Sequence, residues 1–378
     1  MPETASLSAK TLPWWVPEVG EPELEMVRQV LETNYINEGE VTAQFEGEIA
    51  LRLGAKHAVA VTNCTSALFL ALKAVGVGPG DEVVVPDVTF IATANAVSMT
   101  GAKAVLVDVD PATLNMSPEA FARAITPRTK AVLPVHVSGR AADLPSLQQV
   151  AEKHHIVLIE DAAEALLSRA YGKFLGTIGK AGCISFSPNK TITTGQGGII
   201  LTEDHQLHIR LRELKDQGRP VRGTGGDDIH HSIGFNFKLT NVQAAIGMGQ
   251  LSRLEERVVR LREIYEMYKA GLEGVSGIHL PGFRTKEGET PQWVDAVVER
   301  RDELDRYLKA RNIHCRRFWF PIHTQAPYRL PDSDFPNSTR LCARAMWLPS
   351  AFTMGPSEVE LVCHHIRAFL SGSPGGRL

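Results

Sequence analysis

Two side chains in this sequence have the chemistry to hold a reactive aldehyde, and both lie next to short apolar segments. Lys190 follows the apolar residues 183–186 and precedes three glycines and a second apolar segment, 198–201. A lysine amine between two buried strands is poorly solvated, which lowers its pKa and frees its lone pair to attack a carbonyl. Asp161 follows a third apolar segment, 156–160, and its carboxylate can pair with a pyridinium. These are the two groups that a pyridoxal 5'-phosphate (PLP) enzyme requires.

Each of these residues also has a simpler explanation. Most lysines are solvated surface charges, and an aspartate after a strand can bind a metal ion, as in nucleoside triphosphatases. The phosphate-binding motif of those enzymes, G-x-x-x-x-G-K-[ST], is not found in the sequence. The nearest match, residues 176–181, has the wrong spacing and lacks the final hydroxyl. The prediction of a cofactor site therefore depends on Lys190 and Asp161 in combination.

Short apolar segments alternate with helix-like segments between about residue 56 and residue 202. Several of the apolar segments have no polar face, which is typical of strands covered on both sides of a sheet. The predicted strands are residues 58–61, 82–85, 104–107, 130–135, 156–160, 183–186 and 198–201. Helices are predicted between most of them, for example over 65–75 and 143–155. This alternation predicts an α/β domain with a largely parallel sheet, in which ligands bind beyond the carboxyl ends of the strands.

The pattern after residue 250 indicates a second, smaller unit. Residues 251–272 are predicted to form one long amphipathic helix that could connect two domains. An α+β unit follows, and its predicted elements are a helix over 301–311, a strand over 313–320 and helices over 337–345 and 356–370. We therefore predict a large domain over residues 1–255 and a small C-terminal domain over residues 256–378.

Composition and charge restrict the class of protein. The 378 residues carry a formal net charge of -3, which argues against nucleic acid as the main partner. No apolar run approaches the roughly 18 residues of a membrane span, and no secretion signal is evident at the N-terminus. The five cysteines are scattered and show no paired metal spacing. We therefore expect a cytoplasmic protein with free thiols, no metal site and no membrane partner.

Two further segments contain candidate cofactor contacts. Residues 63–66, Asn-Cys-Thr-Ser, follow a predicted strand and open a helix, where free N–H groups and hydroxyls could bind a phosphate. Taken alone, this segment is better explained as an ordinary helix N-cap. Phe90 follows the strand at 82–85, and its ring could stack on a flat cofactor, although an aromatic there more often belongs to a core.

Six segments follow one another in an order that identifies a family. They are residues 63–66 (NCTS), 89–93 (TFIAT), 160–164 (EDAAE), 185–190 (SFSPNK), 195–198 (GQGG) and 234–245 (GFNFKLTNVQAA). Together they resemble the DegT/DnrJ/EryC1/StrS family of nucleotide-sugar aminotransferases, which are PLP enzymes of the aspartate-aminotransferase fold (fold type I). The resemblance is strong over about residues 16–280 and looser after them. It implies a mostly parallel seven-stranded sheet in the large domain and a smaller C-terminal α+β domain.

The resemblance implies a role for each candidate residue at the cofactor. Lys190 would bind PLP covalently and carry a proton between the sugar carbon and the cofactor carbon, while Asp161 would keep the pyridine nitrogen protonated. Glu164 would contact the phenolic oxygen, at a position where the family usually has glutamine and the perosamine-synthase branch has glutamate. The remaining implied cofactor contacts are Phe90 against the ring and Cys64, Thr65 and Ser185 at the phosphate.

The resemblance also implies a second subunit and a sugar pocket. Asn236 would reach the cofactor phosphate of a neighbouring copy, so the active form would be a homodimer with shared active sites. Tyr35, Asn37 and His323 fall at positions that line the sugar pocket in the family, although a histidine considered alone is more often structural or on the surface. Residues 282–300 look shorter than in the family, which leaves the wall of that pocket undetermined.

The implied reaction is transfer of an amino group from glutamate to a keto nucleotide sugar, most simply to C4 of a GDP-linked 4-keto-6-deoxyhexose. Amination at C3, PLP-dependent sugar dehydration and a regulator that binds without turnover stay open as alternatives. Lys190 favours transamination, because dehydratases of this fold typically have histidine at that position. Arg316 and Arg317 are expected at a strand edge with solvated guanidiniums, one of which could meet a diphosphate.

Overall fold

Helices and short strands alternate through most of the chain in the computed structural model, which describes residues 11–220 and 230–372. The α-helices are α1 Glu21–Glu32, α2 Glu40–Leu53, α3 Cys64–Ala74, α4 Ala92–Met99, α5 Pro118–Ala124, α6 Leu144–Lys153, α7 His205–Lys215, α8 Asn241–Leu251, α9 Leu254–Leu272, α10 Arg301–Lys309, α11 Pro336–Cys342 and α12 Pro356–Leu370. The strands are β1 His57–Val61, β2 Glu82–Pro86, β3 Lys103–Val107, β4 Thr129–Val132, β5 Val157–Asp161, β6 Arg169–Ala170, β7 Lys173–Phe174, β8 Ala181–Ser185, β9 Gly198–Thr202, β10 Ile278–His279, β11 Val294–Val298, β12 Arg316–Arg317 and β13 Ala345–Leu348.

Seven strands form one sheet in the order β1-β9-β8-β5-β4-β2-β3. The pairs β2–β3, β2–β4, β4–β5 and β5–β8 are parallel, whereas β9 is antiparallel to both of its neighbours. The seven predicted strands are therefore confirmed, together with the α/β class and the mostly parallel sheet. Because β1, β2, β5 and β8 run in the same direction, their carboxyl ends meet at one edge of the sheet.

Both faces of this sheet are buried, which explains why its strands lack a polar face. Successive residues of a strand point to opposite faces, so Val84 packs in one core cluster while Val83 and Val85 pack in another. Residues of β2, β8 and β9 are all buried. This burial on both sides is the arrangement that favours the valine and isoleucine found there.

A second, antiparallel sheet has the order β10-β11-β13-β12 and packs in a core cluster with residues of α9, α10 and α12. Two predictions for this region are wrong, and one strand was not predicted. The strand expected over 313–320 is confined to Arg316–Arg317, and the helix expected over 337–345 ends at Cys342. The apolar residues Ala345–Leu348 form a central strand instead, because both edges of that strand pair with neighbours, β11 and β12.

The long helix expected over 251–272 is formed by α9, Leu254–Leu272, while its expected first residue, Leu251, is the last residue of α8. The hydroxyl of Ser252 donates to the carbonyl of Gly249 at 2.8 Å, a local bond that competes with continued helix. Leu261, Tyr265 and Tyr268 of α9 are buried, as the stripe predicts. The division into domains near residue 255 stays a prediction. Within residues 11–220 and 230–372, no helix combines the length and apolar character needed to cross a membrane.

Candidate active site

A cavity of about 530 Å³ lies at the edge where the carboxyl ends of β1, β2, β5 and β8 meet. Residues that the sequence singled out for the cofactor line it together: Cys64, Thr65, Phe90, Asp161, Glu164, Ser185 and Lys190. They come from separate strands and loops, so only the sheet brings them together. Ligand sites of open α/β sheets are expected at this edge.

Lys190 and Glu164 form an ion pair inside the cavity. Lys190 Nζ donates to Glu164 Oε1 at 3.1 Å and lies 4.6 Å from the ring centroid of Trp293. The other carboxylate oxygen of Glu164 accepts a hydrogen bond from the backbone N–H of Ser138 at 2.8 Å. Burial raises the pKa of Glu164, and the nearby Lys190 cation only partly opposes this. The lysine amine is thus held in one place, with 11% of its side chain exposed to the cavity.

Asp161 is the last residue of β5, and it is buried, with 4% of the residue exposed. Oδ2 accepts a hydrogen bond from the Thr93 hydroxyl at 2.8 Å, and Oδ1 accepts one from the backbone N–H of Ala163 at 3.2 Å. No ion pair to Asp161 is formed by any residue in the described parts of the chain, and burial raises the pKa of this carboxyl. A buried carboxylate of this kind fits the protonated ring nitrogen of PLP, which would supply the missing cation.

The N-terminus of α3 fits the phosphate of the same cofactor. Asn63 caps the helix by accepting a hydrogen bond from the Ser66 N–H at 2.8 Å, and Cys64, Thr65 and Ser66 of the first turn line the cavity, where Thr65 adds a hydroxyl. Gly198 permits the approach of β9, since a Cβ there would lie 2.6 Å from the carbonyl carbon of Asn63. Burial raises the pKa of the Cys64 thiol, so it stays neutral beside an anion. The N-cap and phosphate-site explanations are therefore compatible.

The remaining predicted cofactor contacts, Phe90 and Ser185, also line this cavity. Phe90 lines the cavity with 54% of its surface exposed, which leaves the ring free to stack on a ligand. Ser185 ends β8, and its hydroxyl lies 3.1 Å from that of Ser187. An amine, a buried carboxylate, an aromatic ring and a helix N-terminus thus surround one cavity, and this combination fits PLP.

Four residues predicted from the resemblance do not line this cavity. Tyr35 and Asn37 lie on an exposed turn, and their carbonyls accept hydrogen bonds from Asn241 at 3.1 and 3.0 Å. Asn236 is exposed in the single chain. His323 is fully buried, and its Nδ1 lies 2.6 Å from a carboxylate oxygen of Asp87. Their contacts with a partner subunit or a sugar stay predictions.

The C-terminal part supplies tryptophans that were not predicted to line the cavity. Trp293, Trp319 and Trp347 do so together with Arg316, one of the two arginines considered for a diphosphate. The segment 282–300, interpreted as a shortened region, contributes Trp293 to the cavity wall, immediately before β11. Three of the five tryptophans in this chain lie here, and that concentration was the available signal. Ser138 carried no signal, because its left-handed backbone, with φ of 53°, is not encoded by its residue type.

Comparison with known proteins identifies the family. A model of the DegT/DnrJ/EryC1/StrS aminotransferase family matches residues 17–367. The chain belongs to this family. The resemblance inferred from the six motifs is therefore confirmed, as is fold type I. Members of the family are PLP-dependent sugar aminotransferases, so the chain is an enzyme of that class.

Individual relatives match over most of their length. The chain is 35% identical to the spore coat polysaccharide biosynthesis protein SpsC of Bacillus subtilis, over 96% of this chain and 98% of that protein. It is 38% identical to GDP-perosamine synthase of Caulobacter vibrioides, over 82% of this chain and 85% of that enzyme. The crystal structure of the aminotransferase TlmJ from Streptoalloteichus hindustanus superposes with a TM-score of 0.90 at 33% identity, over 96% of this chain and 100% of TlmJ.

Proposed function

We propose that this protein transfers the amino group of glutamate to C4 of a GDP-linked 4-keto-6-deoxyhexose, with PLP as its cofactor. The observation that carries the proposal is that Lys190, Asp161 and Glu164 line one cavity with a helix N-terminus. The similarity to GDP-perosamine synthase supports the GDP-linked substrate and the C4 position. Lys190 itself supports transamination over dehydration.

We propose that the Nζ atom of Lys190 has two roles. Its Nζ would hold the cofactor through the aldehyde carbon, and once released it would carry a proton between cofactor and substrate carbons. PLP, when bound, supplies the electron sink that lets the C–H bond beside the nitrogen break. Trp293 and Glu164 on either side of Nζ would restrict where the free amine can go and exclude water from it.

We propose that Asp161 and Glu164 contact different groups of the cofactor. Asp161 would pair with the ring nitrogen, while the hydroxyl of Thr93 fixes the plane of the carboxylate. Glu164 would lie near the phenolic oxygen in its charged form, paired with Lys190, and the raised pKa of its buried carboxyl suits it to accept a proton there. Cys64, Thr65 and Ser185 are proposed to hold the phosphate.

The proposed active form is a homodimer. Asn236 is exposed in the single chain, which supports a contact made only when a second copy is present. A shared site of this kind would make activity depend on protein concentration when the dimer dissociates.

The proposed function is tested by incubating the PLP-loaded protein with glutamate and a panel of keto sugars linked to GDP, UDP and dTDP. We expect 2-oxoglutarate and an aminated GDP-sugar, detected by mass, with NMR placing the new amine at C4. Lys190→Ala should give neither product. Failure to aminate every sugar of the panel, with PLP demonstrably bound, would refute the proposal. Amination at C3 would correct its regiochemistry.

A further inference from the structure

We propose that Arg316 binds the diphosphate of the nucleotide-sugar substrate, at the point where the active-site cavity opens into a second groove. The inference rests on the proposed function and adds to it the anion-binding residue of the substrate side. Arg316 lies on β12, in the C-terminal part of the chain, far in sequence from every residue assigned to the cofactor.

Arg316 lies at a junction between two spaces. It lines the cavity that contains Lys190, and it also lines a groove of about 280 Å³. Thr89, Phe90 and Trp319 are the other residues shared by both spaces. A ligand that extends from Lys190 into the groove would therefore pass the guanidinium of Arg316.

The guanidinium of Arg316 is oriented by aromatic rings and not by acids. Its central carbon lies 4.7 Å from the ring centroid of Trp14 and 5.6 Å from that of Trp347. No carboxylate lies within 4.0 Å of it among residues 11–220 and 230–372. Stacking on indole rings restricts the plane of a guanidinium and leaves its N–H groups available. An arginine oriented in this way can bind a phosphate or carboxylate through two parallel N–H···O hydrogen bonds.

The charges of the two spaces are separated. The cavity carboxylates, Asp161 and Glu164, belong to the end that contains Lys190. The groove contains a second arginine, Arg317, whose guanidinium carbon lies 3.9 Å from the ring centroid of Phe320. Among residues 11–220 and 230–372, no acidic side chain lines the groove. The groove end is therefore suited to the anionic part of a substrate.

A tryptophan pair separates the two cations of the cavity. Trp293 lies 4.6 Å from Lys190 Nζ, its ring centroid lies 4.8 Å from that of Trp347, and Trp347 lies 5.6 Å from Arg316. The apolar face of a sugar ring packs well on indole, so this wall suits a hexose. Such a hexose would present its ketone to Lys190 and its diphosphate to Arg316.

The same guanidinium could also bind a carboxylate of glutamate, since phosphate and carboxylate share this chemistry. The groove favours the diphosphate. Beyond Arg316 it is lined by Arg317, Phe320 and Gln325, which a donor as short as glutamate would leave unused. A nucleoside attached to the diphosphate would extend along these side chains, and Phe320 is 52% exposed there.

The test separates binding of the diphosphate from both half-reactions. The PLP-loaded wild type, Arg316→Met and Arg316→Lys are titrated with GDP, UDP, dTDP and guanosine by calorimetry. The glutamate half-reaction is followed separately, by the change in cofactor absorbance when glutamate is added without a sugar. Arg300→Met is the matched control, because Arg300 also stacks on an aromatic ring, 4.6 Å from Phe369, but lies on the surface outside both spaces.

We expect Arg316→Met to weaken binding of the preferred nucleoside diphosphate by about 10- to 100-fold, the range for one charge-assisted bidentate contact. Arg316→Lys should recover part of that loss, because it keeps the charge without the planar fork. Guanosine binding, the glutamate half-reaction and the thermal midpoint should not change, and Arg300→Met should behave as the wild type.

Three results would overturn the inference. The first is wild-type affinity for the diphosphates in Arg316→Met, and the second is no measurable affinity for any of them in the wild type. The third is loss of the glutamate half-reaction with intact diphosphate binding, which would assign Arg316 to the amino donor. Failure of the proposed function is distinguishable, since it would appear as absent amination of every keto sugar by the wild type, whatever the affinity for diphosphates.

Discussion

The side-chain oxygen of Gln292 accepts two hydrogen bonds from Thr191, at 3.1 Å from its backbone N–H and at 2.7 Å from its hydroxyl. The amide nitrogen of the same glutamine donates to the carbonyl of Asn189 at 3.3 Å. One buried side chain therefore holds the backbone on both sides of Lys190. Because Gln292 directly precedes Trp293, the segment before β11 fixes both the loop and the amine of the proposed catalytic lysine.

Replacing this side chain is the first prediction. Gln292→Ala should lower kcat by about 10- to 100-fold, because a small displacement of a reacting group has an effect of this size. It should also destabilise the fold by about 1–3 kcal/mol, since the buried N–H of Thr191 loses its partner. Steady-state kinetics and urea denaturation measure both effects. Gln148→Ala, which removes an exposed pair with Glu152, is the control and should change neither. A fully active and stable Gln292→Ala would contradict this role.

Asp161→Asn is predicted to separate stability from activity. Burial raises the pKa of the Asp161 carboxyl above 3.8, so its stabilising effect is present below that pH and is lost as pH rises through the folded-state value. An asparagine has the same shape and no charge to bury. The cofactor-free variant should therefore be at least as stable as the wild type at pH 7, while activity falls by about 100-fold or more. Calorimetry of the cofactor-free proteins checks this. A less stable Asp161→Asn, or an active one, would show that the carboxylate has a different role.

The acid limb of the pH–rate profile is predicted to depend on Glu164. Burial raises the pKa of this carboxyl above its usual 4.5, so it takes up a proton at a higher pH than an exposed glutamate. Protonation removes the charge that Lys190 pairs with, and kcat/KM should fall as pH decreases through that range. Glu164→Gln, which has no charge at any pH, should show the lowered kcat/KM throughout and lack this limb, whereas Glu152→Gln on the surface should keep the wild-type profile. Superimposable profiles of the wild type and Glu164→Gln would rule out the assignment.

The wall of the cavity is predicted to depend on a buried ion pair. Arg140, 2% exposed, donates to Asp295 Oδ2 at 2.8 Å, while Oδ1 accepts bonds from the Ser138 hydroxyl and the Trp347 indole at 2.7 and 2.8 Å. Asp295→Ala would leave the guanidinium uncompensated and should lower the free energy of unfolding by about 3–5 kcal/mol. Urea denaturation tests this, with Glu303→Ala, which removes an ion pair between two exposed residues, Arg300 and Glu303, as a control that should have no measurable effect. An effect no larger than that of the control would mean that the pair does not hold β11.

The sequence was informative where local pattern and burial coincide. Strands buried on both faces are continuously apolar, so β2, β8 and β9 could be placed, and Asp161 could be assigned to the carboxyl end of β5. The short strands of the small sheet could not be placed from the sequence in this way. Ala345–Leu348 is an apolar run of four residues, which suits a helix or a strand until its partners are known.

The same limit applies to the active site. Lys190 and Asp161 have side chains whose chemistry is unusual near buried strands, and this made them visible. Ser138 and Gln292 act through a backbone N–H and through contacts across 101 positions of sequence, between Gln292 and Thr191. Neither residue type nor spacing reports such contacts, because they join segments that only the folded chain brings together.

The central claim, that Lys190 is the residue which carries PLP in this cavity, is tested most directly by borohydride reduction. The PLP-loaded protein is reduced, digested, and mapped by mass spectrometry, with Lys190→Ala and Lys180→Ala treated in the same way; Lys180 is an exposed lysine that pairs with Asp204. We predict one stable cofactor adduct on the peptide containing Lys190, present in the wild type and in Lys180→Ala and absent in Lys190→Ala. An adduct on another lysine, or none in a wild type that retains bound PLP, would contradict the account.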